Sequence, residues 1–279
     1  MSAGAISDIQ RLSRISADIR RSVIESLAEA GSGHLGGSLG LADIFTCLYF
    51  DILRHDPSDP RMPNRDRLIL SIGHVAPILY ATLAHAGYFP KAELMTLRKL
   101  GSRLQGHPGR DHGLPGIELS AGSLGQGLSV SVGRALAGKT DHAPWHVWCI
   151  LGDGELQEGS VWEAAMAASH YKLDNLTAIV DRNGVQIDGP TESVMALEPL
   201  KEKWQAFGWN AIECDGNDHA DFLAAAREAV IPKGGPTVIL ATTVMGKGVP
   251  SIEGDFRWHG KAPSPKEAED FIRQLEGKA

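Results

Sequence analysis

The sequence predicts an α/β fold, a parallel sheet covered by helices on both faces, on three observations. The second half alternates short strand-like runs (147–151, 177–180, 209–214, 237–243), the first two almost wholly apolar, with helical stripes, and strands apolar on every side must be buried on both faces. Two of these runs stop abruptly at Gly152-Asp153-Gly154 and Asp181-Arg182-Asn183-Gly184, at the strand ends where open parallel sheets bind ligands. The chain has 279 residues, 43 % hydrophobic and 22 % charged, which is long enough for a substantial core and rules out wholesale disorder.

Taken in order, residues 5–30 carry Ile6, Ile9, Leu12, Ile15, Ile19, Val23 and Leu27 at steps of three or four, the period of an amphipathic helix. A glycine-rich break, GSGHLGGSLG (31–40), precedes a second helical stripe of Leu41, Ile44, Phe45, Leu48 and Ile52. Turn chemistry fills 54–66, a short apolar run 68–72 ends at Gly73-His74, and 75–87 reads as helix. A polar, glycine-rich stretch spans 101–123, and Leu124, Leu128, Val132 and Leu136 then recur at steps of four. Helices are expected at 158–172, 196–207 and 218–230 between the later strands. Ser264-Pro265-Lys266-Glu267 has the form of a capping box with proline at the first helical position, opening a last helix that buries Phe271, Ile272 and Leu275. With no repeat or linker, a single domain over 1–250 and a C-terminal extension over 251–279 are expected.

Charge and cysteine content exclude several functions. With 27 basic and 34 acidic side chains the formal charge is −7 and no long Lys/Arg run exists, so nucleic acid is not expected as a partner. Cys47, Cys149 and Cys214 are odd in number and widely spaced, which forms neither a disulfide framework nor a metal clip. No apolar run could span a bilayer and the N-terminus has no signal core. A cytoplasmic protein with no membrane partner is expected. Glycine is the outlier, 32 of 279 or about 11 % against a usual share of roughly 7 %, and points to backbone approached closely by a ligand.

Two motif matches fail on context. Gly31-Ser32-Gly33-His34-Leu35-Gly36 fits a dinucleotide fingerprint but follows a helical stripe, whereas the fingerprint follows a strand. Gly133-Arg134-Ala135-Leu136-Ala137-Gly138-Lys139-Thr140 fits a P-loop letter for letter, yet it ends a helix rather than opening one. Gly138 then reads as a helix C-cap and Lys139 as a charge favoured by the helix dipole.

Asp153 and Asn183 carry the chemistry. They lie 183 − 153 = 30 residues apart, the span of one strand–helix–strand crossover, and neighbouring strands would bring them to ends about 4.8 Å apart. A carboxylate and an amide oxygen form a hard donor set suited to Mg²⁺ or Ca²⁺, completed by a carbonyl, water and a diphosphate. Gly152 and Gly154 leave room for phosphate. On pattern alone, ordinary β-to-α turns would read the same.

The surrounding residues carry a resemblance. GDGELQEG (152–159) followed by DRNG (181–184) is similar to the thiamine-diphosphate signature, and SGHLGGSLG (32–40), SIGHVAPILYA (71–81), GHPG (106–109), AGSLGQGLS (121–129), YKLDNLTAIVDRN (171–183) and the late WHG (258–260) resemble the transketolase family in unbroken order. The resemblance implies thiamine diphosphate and Mg²⁺ as cofactors, with Ca²⁺ a possible substitute. It implies Asp153, Asn183 and the carbonyl of Val185 as metal ligands. It places Gly152, Gly154, Gly122, Ser123 and Leu124 against the cofactor, His74 and His107 near its thiazolium and the sugar hydroxyls, and His34 and His259 at donor and acceptor oxygens. Glu158 would join a carboxylate network between cofactor sites. Imidazole suits such work because it titrates near neutrality and moves protons both ways. The remaining seven histidines, His55, His85 and His146 among them, lack that setting and read as structural.

Two departures qualify the resemblance. The pyrimidine-binding and C-terminal domains of full transketolases have no counterpart here, so the chain resembles the N-terminal subunit of a split transketolase. It would transfer a two-carbon ketol unit between sugar phosphates only with a second, C-terminal subunit carrying the pyrimidine-binding domain, as an α₂β₂ assembly. Most phosphate-recognising residues would lie on that partner. Met245 stands where some relatives have lysine, and Gly37 where some have serine, which leaves open another ketose-phosphate-specific or sulfosugar transketolase, a deoxyxylulose-phosphate-synthase-like subunit, or a non-catalytic scaffold.

Overall fold

The computed structural model describes residues 3–277, with side chains from residue 8 onward. Helix α1 (Ala3–Ala30) realises the first stripe: Leu12, Ile19, Val23 and Leu27 are fully buried, Ile9 and Ile15 half-buried. The side chain of Ile6 lies outside the described residues. The glycine-rich break is shorter than expected, because Gly36–Gly40 is already helical (α2). Its glycines permit close packing: a Cβ on Gly40 would fall 3.0 Å from the Val244 carbonyl oxygen, and one on Gly36 would meet the Met245 side chain. The single stripe expected next is divided into α3 (Ala42–Cys47) and a π-turn over Leu48–Ile52.

Strand β1 (Arg67–Leu70) leads through a short turn into α4 (Ala76–Ala86), which Gly87 ends in the left-handed conformation at φ 96°. Helix α5 (Gln126–Thr140) follows the long loop, then β2 (Val147–Gly152), α6 (Gly159–His170) and β3 (Leu176–Arg182). A two-stranded antiparallel hairpin, β4 (Val185–Gln186) and β5 (Gly189–Pro190), and the short α7 (Thr191–Val194) come next. The chain finishes through α8 (Leu200–Ala206), β6 (Asn210–Asp215), α9 (His219–Ala229), β7 (Thr237–Thr242) and α10 (Pro265–Leu275). Helix α8 begins at Leu200, later than the stripe from 196 suggested.

The main sheet has the order β1-β2-β3-β7-β6, and every pairing in it is parallel. Alternate residues of β2 enter different cores, which is how a doubly covered sheet must read. Trp148 and Ile150 face a core shared with α1, α3, α4 and α9, whereas Val147, Cys149 and Leu151 face one shared with α5, α6 and α8. All three cysteines are buried and unpaired. The segment after residue 250 continues the first core: α10 packs on α1, and Phe271 meets Trp258 edge-on at 5.1 Å. Its capping box is present, Ser264 Oγ accepting from the Glu267 N–H and the Glu267 carboxylate from the Ser264 N–H. Among the described residues no helix is long and apolar enough to cross a membrane.

The P-loop letters lie wholly inside α5 or at its last residue, so no run of free N–H groups faces an anion there. One expectation is corrected. Gly138 is not the C-cap; the helix runs on through Thr140 to an Asp141 cap. Gly138 is buried because a Cβ on it would sit 2.7 Å from the Trp145 indole nitrogen. Lys139 donates to the Asp174 carboxylate at 2.7 Å and to the Lys172 carbonyl at 2.8 Å, outside the helix.

Candidate active site

Loops at the C-terminal ends of β1, β2 and β3 enclose a cavity of ≈ 400 Å³, within the usual size range of small-molecule sites. Its floor is set by strand register: Gly152 pairs with Asp181, so residues just beyond each strand emerge side by side. Asp153, Asn183 and Val185 all line the cavity, as do Gly122, Leu124, Gly152, Gly154, Glu158, His34, His74 and His259. Two expected members are absent from the lining. Ser123 is exposed, and so is His107, whose ring centroid is 6.5 Å from that of His34.

Asp153 is 2 % exposed. Its Oδ1 accepts from the Gly154 N–H at 2.8 Å, and its Oδ2 accepts from the Gly184 N–H at 2.7 Å and from Arg182 Nη1 at 3.0 Å. Asn183 donates from Nδ2 to Asp181 Oδ2 at 2.9 Å while its Oδ1 accepts from the Val185 N–H at 3.0 Å. The Oδ1 atoms of Asp153 and Asn183, each with one donor, retain acceptor capacity, since a carboxylate or amide oxygen has two lone pairs. Gly154 keeps the floor open: a Cβ there would approach the Gln186 Cβ to 3.2 Å.

Three further floor residues were not singled out in the sequence. Asp181 is fully buried, accepts from the Thr243 hydroxyl, and is pushed up to about 7 by burial, against that hydrogen bond. Glu155 accepts from the Ser71 hydroxyl, from the Gly125 N–H at 2.7 Å and from the Gly152 N–H at 3.2 Å. It thereby pins the 121–125 loop to the end of β2, and burial raises its carboxyl above the usual range. Arg182 spans Asp153, Thr191, Glu192 and Glu198 with contacts of 2.8–3.0 Å. Only their place at the end of a buried strand could have flagged Asp181 and Arg182, because most of their partners come from residues 153, 191–198 and 243. Burial also raises Asp153, opposed by its hydrogen bonds and by Arg182. Three carboxyls therefore crowd a floor where one guanidinium is the cation in direct contact, and a dication would relieve their mutual cost.

The imidazoles arrive from three distant segments. His74 sits on a 3₁₀ turn (Gly73–Val75) just after β1, and a Cβ on Gly73 would strike the Ala121 backbone at 2.9 Å. His34 precedes α2, where Ser38 Oγ donates to its carbonyl at 2.8 Å and the Leu35 N–H donates to the Lys261 carbonyl at 3.3 Å. That second bond draws His259 alongside. Ring centroids are 5.0 Å apart for His34–His74, 5.0 Å for His74–His259 and 5.8 Å for His34–His259. Burial, then the neighbouring imidazoles, holds His34 down to about 4 and His74 to about 3; burial lowers His259 and His107 as well. The sign follows: a lowered value on a base means the neutral form persists as pH falls from 7 to 5. We expect ¹⁵N imidazole resonances of His34 and His74 to stay at neutral-form shifts down to about pH 5. A midpoint near 6.5 for either would contradict this burial. His34 Nδ1 is buried without a hydrogen-bond partner among the described residues, a polar atom left for a ligand.

Three of the seven histidines expected to be structural are so engaged. His55 is bonded to the Tyr49 carbonyl at 2.7 Å and the Tyr88 hydroxyl at 3.0 Å, His85 to Ser22 at 3.0 Å, and His146 to Thr177 at 2.8 Å.

A parallel α/β domain with a carboxyl-floored, imidazole-walled cleft at its strand ends has the form of an enzyme domain with a small-molecule site. The family described as "Transketolase, thiamine diphosphate binding domain" matches residues 12–277. One of the subunits of the apulose-4-phosphate transketolase of Phocaeicola vulgatus is 42 % identical over 92 % of this chain and 90 % of its own length. The 6-deoxy-6-sulfo-D-fructose transketolase subunit SqwG of a Clostridium species is 42 % identical over 92 % of this chain and 94 % of its own. The crystal structure of transketolase from Campylobacter jejuni superposes with a TM-score of 0.90 at 32 % identity, covering 96 % of this chain and 43 % of that one. The chain belongs to the transketolase family, in its thiamine-diphosphate-binding domain.

Proposed function

We propose that this chain is the diphosphate-binding subunit of a two-chain transketolase that transfers a two-carbon ketol unit between anionic sugars. The observation that carries the reading is the convergence of Asp153, Asn183 and Val185 on one wall of a cavity whose other wall is His34, His74 and His259. Among the described residues no cluster of three His, Cys, Asp or Glu is placed to hold a metal; a carboxylate, an amide and a carbonyl are instead the hard oxygens that Mg²⁺ accepts. They fit an ion that also binds diphosphate, and Gly154, Gly122 and Leu124 leave room for the cofactor.

Bound thiamine diphosphate would supply the carbanion centre and electron sink for breaking a carbon–carbon bond. The chain's own residues do the rest. Asp153, Asn183 and the Val185 carbonyl would hold the metal, and Glu155 fixes the loop that carries Gly122 and Leu124. His34, His74 and His259 are held neutral, so each ring has one N–H to donate and one nitrogen to accept. Burial corrects the expectation that they titrate near neutrality: as neutral rings they accept a hydrogen bond from a donor hydroxyl and donate one to an alkoxide, and a proton taken up is held only transiently. His107 is exposed beside His34, outside the cavity lining, and the exposed Glu158 is available to a carboxylate network across a subunit boundary. Buried free thiols suit a reducing cytoplasm.

Both relatives named above are called subunits, and this supports a partner that carries the pyrimidine-binding part, as an α₂β₂ assembly. The test is ketol transfer by the purified chain with and without that second polypeptide, with cofactor, Mg²⁺ and sugar phosphates present. No transfer alone and full transfer together is expected. Activity of the chain alone would overturn the two-chain reading, and failure to bind cofactor with the partner present would make it a scaffold.

A further inference from the structure

For Asn183 to hold a cation its amide must show the oxygen, since the NH₂ end would repel the ion. Nothing in Asn183 itself selects that end, because an amide turned over has nearly the same shape. Two neighbours make the choice. Nδ2 donates to Asp181 Oδ2 at 2.9 Å, and Oδ1 accepts from the Val185 N–H at 3.0 Å. Turning the amide over would set oxygen against the carboxyl and NH₂ against an N–H, and both bonds would be lost.

Strand geometry puts Asp181 in place. It is the second-last residue of β3 and Asn183 is the first beyond it, so in a strand's period of two their side chains share a side. Asp181 is itself held from the next strand. The Thr243 N–H donates to the Arg182 carbonyl at 3.3 Å, which carries the β3–β7 pairing one residue past β7 and brings the Thr243 hydroxyl to Asp181 Oδ1. The end of β6 fixes Thr243 in turn: the Gly216 N–H donates to the Thr242 carbonyl at 2.7 Å, and a Cβ on Gly216 would fall 2.7 Å from the Thr243 methyl. Asp181 and Thr243 are 2 % and 5 % exposed, so bulk water competes little for these bonds. Whichever of Thr243 and Asp181 Oδ1 supplies the proton between them, Oδ2 must accept from Nδ2, an atom that only donates.

We propose that Asp181, braced by Thr243, is a positioning residue that keeps the oxygen of the Asn183 amide turned to the metal. The proposal rests on the reading in which Asp153, Asn183 and Val185 hold Mg²⁺, and adds what orients one of them. The test uses enzyme assembled from this chain, its second subunit and thiamine diphosphate, titrated with Mg²⁺, with the cofactor retained after desalting as the readout. Asp181→Leu removes the acceptor and is expected to raise the Mg²⁺ needed for half retention about 30-fold. Asp181→Asn removes the same charge but keeps an oxygen that Nδ2 can meet, and is expected to lose only about threefold. Equal losses in the two would make the effect one of charge and overturn the proposal, as would wild-type retention in Asp181→Leu. Where the leucine variant does not fold, Thr243→Val decides, because it releases Asp181 without altering charge. Retention about threefold weaker, restored by Thr243→Ser, is expected; no change overturns the proposal. If the wild type retains no cofactor at any Mg²⁺ concentration, the metal reading falls, and the amide's orientation is decided by NMR on the metal-free full chain. A strong cross-peak between the Asn183 side-chain NH₂ and the Val185 N–H that is absent in the wild type and appears in Asp181→Leu supports the proposal. A cross-peak strong in both, or in neither, overturns it.

Discussion

Replacing Asp153 by alanine is expected to weaken Mg²⁺-dependent retention of thiamine diphosphate by about 100-fold or more, since even residues that only support a metal ligand commonly cost 10–100-fold. The measurement is cofactor retained after desalting, across a Mg²⁺ series, with the second subunit present. The substitution also strips acceptors from the Gly154 and Gly184 N–H groups and from Arg182, so some stability is lost. Asp153→Asn keeps the shape and one acceptor oxygen but sets an NH₂ group against N–H donors on the other side, so it is expected to bind metal poorly and to lose less stability than alanine; melting measured beside retention separates the two effects. Lys139→Ala is the control. Its salt bridge to Asp174 is partly exposed, and such pairs contribute about 0–1 kcal/mol, so both stability and cofactor retention should be nearly unchanged. If Asp153→Ala and Lys139→Ala behaved alike, the diphosphate site would lie elsewhere.

Replacing Asp43 by alanine is expected to destabilise the chain by about 3–5 kcal/mol, the usual cost of stripping one partner from a buried ion pair. Arg20 meets Asp43 through two bonds of 2.9 and 2.6 Å, with side-chain exposures of 7 % and 4 %. Burial alone would raise the Asp43 carboxyl, but Arg20 outweighs it and leaves the group below its ordinary range. The pair also anchors the site indirectly. Asn217 donates to Asp43 Oδ2 at 3.0 Å and to the Gly40 carbonyl at 2.9 Å, and accepts from the Val244 N–H at 2.8 Å. One amide thus joins α2, which follows His34, to the loop carrying Met245. Urea unfolding would measure the loss. A midpoint shift equivalent to under about 1 kcal/mol would show that the cluster is well solvated or easily repacked. The double variant Arg20→Met, Asp43→Leu should recover part of the deficit, because removing both charges leaves no uncompensated ion.

Local patterns made much of this structure legible. The buried strands 147–151 and 177–180 are observed as Val147–Gly152 and Leu176–Arg182, because short, mostly apolar runs that contain β-branched residues and stop at Gly or Asp admit few alternatives. The false P-loop was separable for the same reason: a helical stripe ran into it. Boundaries failed where tertiary packing overrode local signals. Gly36–Gly40 is helical despite its glycines because it wedges against the 244–245 backbone and side chain, and Gly138 is helical because Trp145 occupies the space beside it.

By itself the sequence determined the sheet, the crossover that sets Asp153 beside Asn183, and the glycine-bearing loops that hold the histidines. These depend on periodicity and turn chemistry within some thirty residues, which a single chain displays directly. Tertiary structure alone decided that residues 34, 74 and 259 meet, with ring centroids 5.0–5.8 Å apart, and that Arg182 bridges Asp153 to the 191–198 segment. Charge and burial act through space. Which groups share a low-dielectric cleft is set by the packing of distant segments, and that packing leaves no period in the sequence.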